Sequence, residues 1–93
     1  MKCYAYLDIE TTGLSQQFAD LTVIGIAVVK GQVCRMEQFV GQDISAEKLL
    51  PLLEGAGEIH TYNGSRFDLP FIKAKLGLDL KNQFNHTDLM YYC

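Results

Sequence analysis

Apolar runs separated by polar and glycine-containing segments occupy much of the first forty positions. The apolar run from Cys3 to Ile9 predicts a buried first strand. Two further segments, Leu21 to Val29 and Gln32 to Val40, flank the dipeptide Lys30-Gly31 and predict a hairpin with a tight turn. Because polar and apolar residues mix in the return strand, we expect it to lie at an edge of the sheet with one face in water.

After residue 44 the pattern changes to one in which helices and strands alternate. Ser45 is a typical N-cap for a helix that ends near Gly55, and Pro51 inside this segment would kink or shorten the helix. The short apolar stretch 58–63, which precedes a glycine, predicts a fourth strand.

A second helix and a fifth strand complete the predicted order. The helix starts near Asp68, with Pro70 in its first turn and Gly77 as its C-cap, and residues 86–92 predict the last strand. The order β-β-β-α-β-α-β predicts an α/β fold with a mixed sheet. We expect the first strand to be central and to lie next to the fourth.

Composition limits the class of protein. The 93 residues fit one domain, and 48% hydrophobic with 20% charged residues predicts a packed core. A net charge of -3 argues against purely electrostatic binding to a polyanion. Three cysteines without a C-x-x-C pair indicate reduced thiols and a cytoplasmic protein, and no histidine has the spacing of a zinc site. We expect no signal peptide and no membrane span, because the apolar runs are too short.

Two carboxylates stand at the end of the first predicted strand. Asp8 and Glu10 are two residues apart, so they project from the same face of the strand, while Ile9 points into the core. Like charges this close repel each other, and a divalent cation would relieve the repulsion. Oxygen ligands of this kind suit Mg²⁺ or Mn²⁺. Asp68, at the start of a predicted helix, joins the pair if the first and fourth strands are neighbours.

Each of these features also has a simpler interpretation. The two acids of the first strand suit a solvated strand end, and Asp68 suits a helix cap. Thr11-Thr12-Gly13, where Gly13 is able to adopt positive φ, and Asn63-Gly64 are ordinary turn sequences. The gathering of three acids at one edge of the sheet is what favours a functional site over a set of unrelated surface residues.

Two motifs in this order resemble those of a known enzyme family. LDIETTGL resembles the first motif, D-x-E-T-T-G, of the DEDD exonucleases with a ribonuclease-H-like fold, and TYNGSRFDLP resembles their second motif. With HTDLMYYC near the end, the chain is most similar to the YprB-like branch of predicted 3′-5′ exonucleases. The resemblance covers nearly the whole chain.

This resemblance implies a catalytic site and a cofactor. Asp8, Glu10 and Asp68 would be the catalytic, metal-binding acids for two Mg²⁺ or Mn²⁺ ions, which activate a water and stabilise the leaving 3′ oxygen. The nucleic-acid 3′ end would release nucleoside monophosphates. The residues that would meet the terminal nucleotide belong to the two motif turns: Thr11, Thr12, Gly13, Leu14, Asn63 and Phe67.

One element of the family's pattern has no counterpart. The family's fourth acid follows a Tyr or His by three residues, and only Leu89 to Cys93 follow Asp88. Asp88 itself is as well explained as a strand-end residue as by a catalytic role. We therefore expect residues 1–93 to be the N-terminal part of one ribonuclease-H-like exonuclease domain, truncated on its C-terminal side and weakly active or inactive alone. A homodimer through the surface that truncation exposes is a further expectation. The alternative is a non-catalytic nucleic-acid-binding or protein-interaction module that keeps the fold.

Overall fold

A central strand of hydrophobic residues organises the protein. The computed structural model describes residues 3–92, which form a five-stranded sheet in the order β3-β2-β1-β4-β5. The strands are β1 (Cys3–Thr11), β2 (Leu21–Lys30), β3 (Val33–Val40), β4 (Glu58–Thr61) and β5 (His86–Asp88). The helices are α1 (Ala46–Glu54), α2 (Asp68–Leu76) and α3 (Leu80–Gln83), and Gly41–Asp43 and Leu89–Tyr92 form 3-10 turns. The predicted α/β class is confirmed, and so is the central position of the first strand beside the fourth.

The direction of the strands follows from their connections. β1 pairs antiparallel with β2 across the connection 12–20, and β2 pairs antiparallel with β3 across a tight turn. β1 with β4 and β4 with β5 pair parallel, with helices in the connections. The carboxyl ends of β1, β4 and β5 therefore meet at one edge of the sheet.

The alternation of β1 separates the two faces of the sheet. Ala5, Leu7 and Ile9 are buried and pack against the helices. The helical residues of this core are Leu49, Leu53, Leu69, Phe71, Ile72 and Leu80. The opposite face carries the even-numbered residues of β1 and includes exposed side chains such as Tyr6 and Met36. We call it the open face. Burial on the helical side fixes the register of β1, since a shift by one residue would exchange the two faces.

The hairpin and the helix ends agree with the predictions. Gly31 adopts positive φ in the β2–β3 turn, and β3 is an edge strand whose residues are largely exposed. The Ser45 hydroxyl accepts a hydrogen bond from the amide of Lys48 and caps α1. Gly77 ends α2 in the left-handed conformation that glycine adopts most easily.

Several predicted boundaries are wrong. The fifth strand ends at Asp88 instead of residue 92, because the Asp88 carboxylate accepts the amide proton of Met90 and turns the chain into a 3-10 turn. The fourth strand ends at Thr61 instead of residue 63. Pro51 neither ends nor shortens α1, which continues to Glu54.

Other local features were not predicted. The sequence analysis missed α3 and the 3-10 turn Gly41–Asp43, both too short for a periodic pattern. Gly13 lies in its turn without positive φ. No helix within residues 3–92 combines the length and the apolar character needed to cross a bilayer.

Candidate active site at the ends of β1 and β4

Asp8 and Glu10 occupy the open face at the end of β1. Both side chains are exposed, and Ile9 between them is 6% exposed on the helical side. The pairing of β1 with β2 shifts register between Glu10 and Thr11, so the regular ladder ends at the two acids. The structure thus places the pair on one face, as the two-residue spacing predicts.

Asp68 approaches the same strand end from α2. It is the first residue of the helix and is 5% exposed. Its carboxylate accepts a hydrogen bond from the backbone amide of Ile9, and the charge of Asp8 acts on it. The predicted approach of Asp68 to the end of β1 is therefore realised, because β4 pairs with β1 and delivers α2 to this edge.

The environment of Asp68 is unfavourable for a negative charge. Among residues 3–92, its Oδ2 atom is buried and has no hydrogen-bond partner. Burial raises the pKa of Asp68 most, and the charges of Asp8 and, to a smaller extent, Asp88 raise it further. These effects outweigh the amide hydrogen bonds from Ile9 and from Asp68 itself. The net result is a pKa of about 6 instead of 3.8. A buried carboxylate without a full set of donors is rare unless it is paired or ligates a metal.

The type of donor atom at this site fits a hard divalent cation, but too few ligands are gathered among the described residues to form a complete site. Asp8 and Asp68 offer carboxylate oxygens, and the charge of Asp8 acts on Asp68. Carboxylate oxygens suit Mg²⁺ or Mn²⁺. A cation would satisfy the unpartnered oxygen and neutralise the repulsion. Within the described part of the chain, however, no three or more His, Cys, Asp or Glu side chains are gathered as a metal site. Glu10 shares the face of Asp8 without completing such a cluster.

Asp88 has the opposite environment at the neighbouring strand end. Its carboxylate accepts hydrogen bonds from the amides of Asn63 (2.7 Å), Ser65 (3.1 Å) and Met90 (3.1 Å), and from the Ser65 hydroxyl (2.5 Å). Burial raises the pKa of Asp88, but the hydrogen bonds led by those of Ser65 outweigh burial and lower the pKa to about 2. Asp88 is therefore an ionised residue that binds the turn after β4, which the sequence analysis had left open.

That turn has strict steric requirements. Asn63 adopts a positive φ of 60°, which asparagine tolerates better than most residues. The amide of Gly64 donates to the hydroxyl of Thr61 at 3.1 Å, and this hydroxyl lies 2.8 Å from Nε2 of His86. A Cβ atom on Gly64 would overlap the side chain of Thr61. The backbone conformation of this turn thus requires asparagine and glycine, or residues of similar freedom and size, at these positions. The Oδ1 atom of Asn63 is buried without a partner among residues 3–92.

The turn after β1 is held by its own threonines. The Thr11 hydroxyl donates to the carbonyl of Gly13 at 2.6 Å, and Thr12 Oγ1 accepts from the amide of Asp20 at 2.8 Å. Leu14 projects from this turn and is 85% exposed. These contacts leave Leu14 free for a ligand, and the predicted nucleotide contacts of Thr11 to Leu14 stay predictions.

The remaining predicted pocket residue has a mainly structural environment. Phe67 stands before the first turn of α2, and its half-buried ring lies 5.5 Å from that of Phe71. Its contact with a nucleotide stays a prediction.

A cavity of about 610 Å³, which the sequence did not predict, lies on the open face beside Asp8. His60 on β4 lines it, with ring centroids 5.0 Å from Tyr4 and 5.1 Å from Tyr6. Nε2 of His60 lies 2.9 Å from Oε1 of Glu58, although neither ring nitrogen forms a hydrogen bond of good geometry with the described residues. The sequence contains a signal for this arrangement, because period-two alternation places Tyr6 and His60 on the same face once β1 and β4 are paired.

The mixed sheet with two motif turns at the ends of β1 and β4 defines an α/β protein of the ribonuclease-H-like class. The sequence matches the RNase H superfamily over residues 5–93, and the chain belongs to this family. The predicted fold and family are confirmed. No curated protein matches the chain.

Solved structures share this fold at low sequence identity. The family B DNA polymerase from the hyperthermophilic archaeon Pyrobaculum calidifontis superposes with a TM-score of 0.64 and 15% identity, covering 89% of this chain and 11% of the polymerase. E. coli exonuclease I in complex with a dA16 oligonucleotide gives 0.64 and 14%, covering 96% of this chain and 28% of the exonuclease. The zinc-ion-bound form of the E. coli exonuclease I complex with single-stranded DNA gives 0.58 and 13%, with coverage of 96% and 28%. The chain thus spans less than a third of each of these proteins.

Proposed function

We propose that this chain carries the first part of the active site of a metal-dependent 3′-5′ exonuclease. The observation that carries the proposal is the buried Oδ2 of Asp68, which has no hydrogen-bond partner in the described part of the chain and lies near the charge of Asp8 at the end of β1. Burial and repulsion make this arrangement costly for a protein without a ligand. A divalent cation at this position would turn both costs into favourable contacts.

The comparisons support the same reaction class. E. coli exonuclease I shares the fold and was solved with single-stranded DNA, in one case with a zinc ion bound. For this chain, nucleic acid as substrate rests on that similarity together with the first and second motifs. A protein with net charge -3 would hold a phosphate backbone at an acidic edge through cations.

The chain's own residues would have distinct tasks. Asp8, Glu10 and Asp68 would hold two Mg²⁺ or Mn²⁺ ions. These ions, when bound, supply Lewis acidity to a water nucleophile and to the leaving 3′ oxygen. Asp68 would contribute an oxygen that is fixed in place by α2 and by the amide of Ile9. The exposed Leu14 would contact the terminal nucleotide from the neighbouring turn.

We propose that further residues complete this site. Among the described residues, Asp8, Glu10 and Asp68 are not gathered closely enough to form a metal site by themselves, and the resemblance requires a fourth acid and a general base. A general base typically contributes about 10²–10⁴-fold to the rate. The 93-residue chain is therefore expected to bind Mn²⁺ modestly and to hydrolyse nucleic acid slowly or not at all.

The lack of three gathered metal ligands among the described residues is also compatible with a second candidate function. A module that keeps the fold and binds nucleic acid without catalysis would also lack a gathered set of three ligands. Metal binding separates the two candidates, because a non-catalytic module has no need for a cation at Asp68.

Calorimetric titration with Mn²⁺ tests the proposal. The wild type should show one strongest site, which Asp8→Ala removes. Glu54→Gln is a matched control, because this exposed acid lies at the far end of α1. Equal binding by the wild type and Asp8→Ala would refute the metal site.

A nuclease assay tests the reaction itself. Release of mononucleotides from 3′-labelled single-stranded DNA with Mn²⁺ should be weak for the 93-residue chain and strong for a longer chain that contains the Tyr/His-x-x-Asp motif. Strong activity of the 93-residue chain that Asp68→Ala abolishes would show that three acids are enough. Absence of activity in the longer chain would refute the proposed reaction.

A further inference from the structure

We propose that Asp88 is a positioning residue for the site: its carboxylate fixes the turn that carries Asp68 to the end of β1. This inference rests on the proposed function. It assigns to the end of β5 a task that the first and second motifs do not contain.

The first step is the contact between β5 and the turn. Asp88 Oδ1 accepts from the amides of Asn63 and Met90, and Oδ2 accepts from the amide and the hydroxyl of Ser65. Each oxygen of the carboxylate thus accepts two hydrogen bonds. Asp88 is 6% exposed, so water competes little for these donors.

The second step leads from the turn to α2. The carbonyl of Asn63 accepts from the amides of Arg66 (3.3 Å) and Phe67 (3.1 Å), and the carbonyl of Gly64 accepts from the amide of Leu69 (2.8 Å). The residue before α2 provides no side-chain cap. The start of α2 therefore depends on the turn, and Asp68 is the first residue of that helix.

The third step ends at β1. The Asp68 carboxylate accepts from the amide of Ile9, so a displaced α2 would lose this bond and the proximity to Asp8. The path runs from Asp88 through Asn63 and Ser65 to Asp68. Residues that hold metal ligands in place commonly matter for metal affinity by 10–100-fold, which sets the order of magnitude expected here.

The chemistry of the four donors explains why a carboxylate is needed. An ionised carboxylate accepts through both oxygens, whereas an amide accepts through one and donates through the other group. In Asp88→Asn the NH₂ group would face the amide of Ser65, donor against donor. The variant keeps the shape of the side chain and removes at least one of the hydrogen bonds that the carboxylate accepts from the turn.

The test compares three variants by NMR and by Mn²⁺ titration. Asp88→Asn disturbs the hydrogen bonds to the turn and also removes a negative charge that acts on Asp68. Ser65→Ala removes one donor and keeps that charge. Asp79→Asn is the control, because Asp79 also accepts hydrogen bonds before a helix, from Asn82 and Lys73, but outside the turn. The Ile9 amide signal reports on Asp68 without any metal.

For Asp88→Asn we expect a clear shift of the Ile9 amide signal and about tenfold weaker Mn²⁺ binding, with the signals of the β1–β2 ladder retained. Ser65→Ala should shift the same signal in the same direction by less, and it replaces Asp88→Asn if that variant does not fold. Asp79→Asn should leave both readouts unchanged. Because the charge of Asp88 itself acts on Asp68, a shifted Ile9 signal in Asp88→Asn with an unmoved one in Ser65→Ala, or an unmoved signal in both, overturns the positioning role. If the wild type binds no Mn²⁺, the proposed function fails, and the Ile9 signal still decides the role of Asp88.

Discussion

Replacing Asp68 by asparagine should stabilise the cation-free protein at neutral pH. The carboxylate is buried, one of its oxygens has no hydrogen-bond partner among the described residues, and Asp8 repels its charge. Asparagine has the same shape and no charge. Its carbonyl can keep the hydrogen bond from Ile9, and its NH₂ group can take the place of the unpartnered oxygen and donate toward Asp8.

The size of the effect follows from the pKa. The pKa of Asp68 rises from 3.8 to about 6. At about 1.4 kcal/mol per pH unit, this rise corresponds to about 3 kcal/mol of stability lost when the side chain ionises. The folded state holds the proton more tightly than the unfolded state. The stabilisation is therefore complete below about pH 4 and lost as the pH rises to about 6, so Asp68→Asn should gain about 3 kcal/mol above that window.

Urea unfolding of both proteins from pH 4 to 8, in a buffer with chelator, measures this difference. Burial also lowers the pKa of His86, which makes stability fall with acidification below the ordinary pKa of 6.5. This contribution is common to both proteins and cancels in the difference. The free energies of unfolding should be close at pH 4 and should separate progressively up to pH 6–7.

Two controls make the result specific. Asp8→Asn removes the larger of the two repulsions and leaves the burial and the charge of Asp88, so it should recover the smaller part of the loss. Saturating Mn²⁺ should raise the stability of the wild type and leave Asp68→Asn unaffected. Parallel pH profiles for the wild type and Asp68→Asn would refute the reasoning, because they would mean that Asp68 titrates as an exposed acid.

Three further predictions concern packing. Gly64→Ala should destabilise the protein by about 1–3 kcal/mol, because its Cβ would overlap Thr61, and thermal unfolding measures the loss. Pro51→Ala should stabilise it by about 1–3 kcal/mol in urea unfolding, since Pro51 is exposed within α1 and alanine restores a helical amide; no gain would contradict this. The chain should self-associate through the open face, so Met36→Lys should shift sedimentation toward monomer whereas Val33→Lys, on the other face of β3, should not.

The sequence was informative where a pattern repeats or a cap has a specific chemistry. The alternation of β1 located its buried and open faces, and Ser45 and Gly77 located helix ends. The α/β class and the central first strand followed from element order. The errors concern segments of three or four residues, such as β5 and α3, where one hydrogen bond decides the path of the chain.

The hydrophobic pattern of the sequence does not predict side-chain hydrogen bonds. The fifth strand was predicted to continue to residue 92, because HTDLMYY reads as an apolar run with strand propensity. The structure ends it at Asp88, whose carboxylate binds the amide of Met90 two residues later. A sequence shows that an Asp is present but not which amides its carboxylate will meet.

The same limit separates the two buried acids of this sheet edge. Asp68 and Asp88 are each an acid at the boundary of an element, and the sequence gives no basis for assigning them different tasks beyond the motif around Asp68. Their donors distinguish them. Four hydrogen bonds hold Asp88 ionised and occupy both oxygens, so it has no free oxygen to offer an incoming cation. Asp68 keeps one buried oxygen that has no partner among residues 3–92, and Asp8 lies near it as a negative neighbour. This difference supports the proposal that Asp68, and not Asp88, ligates the metal.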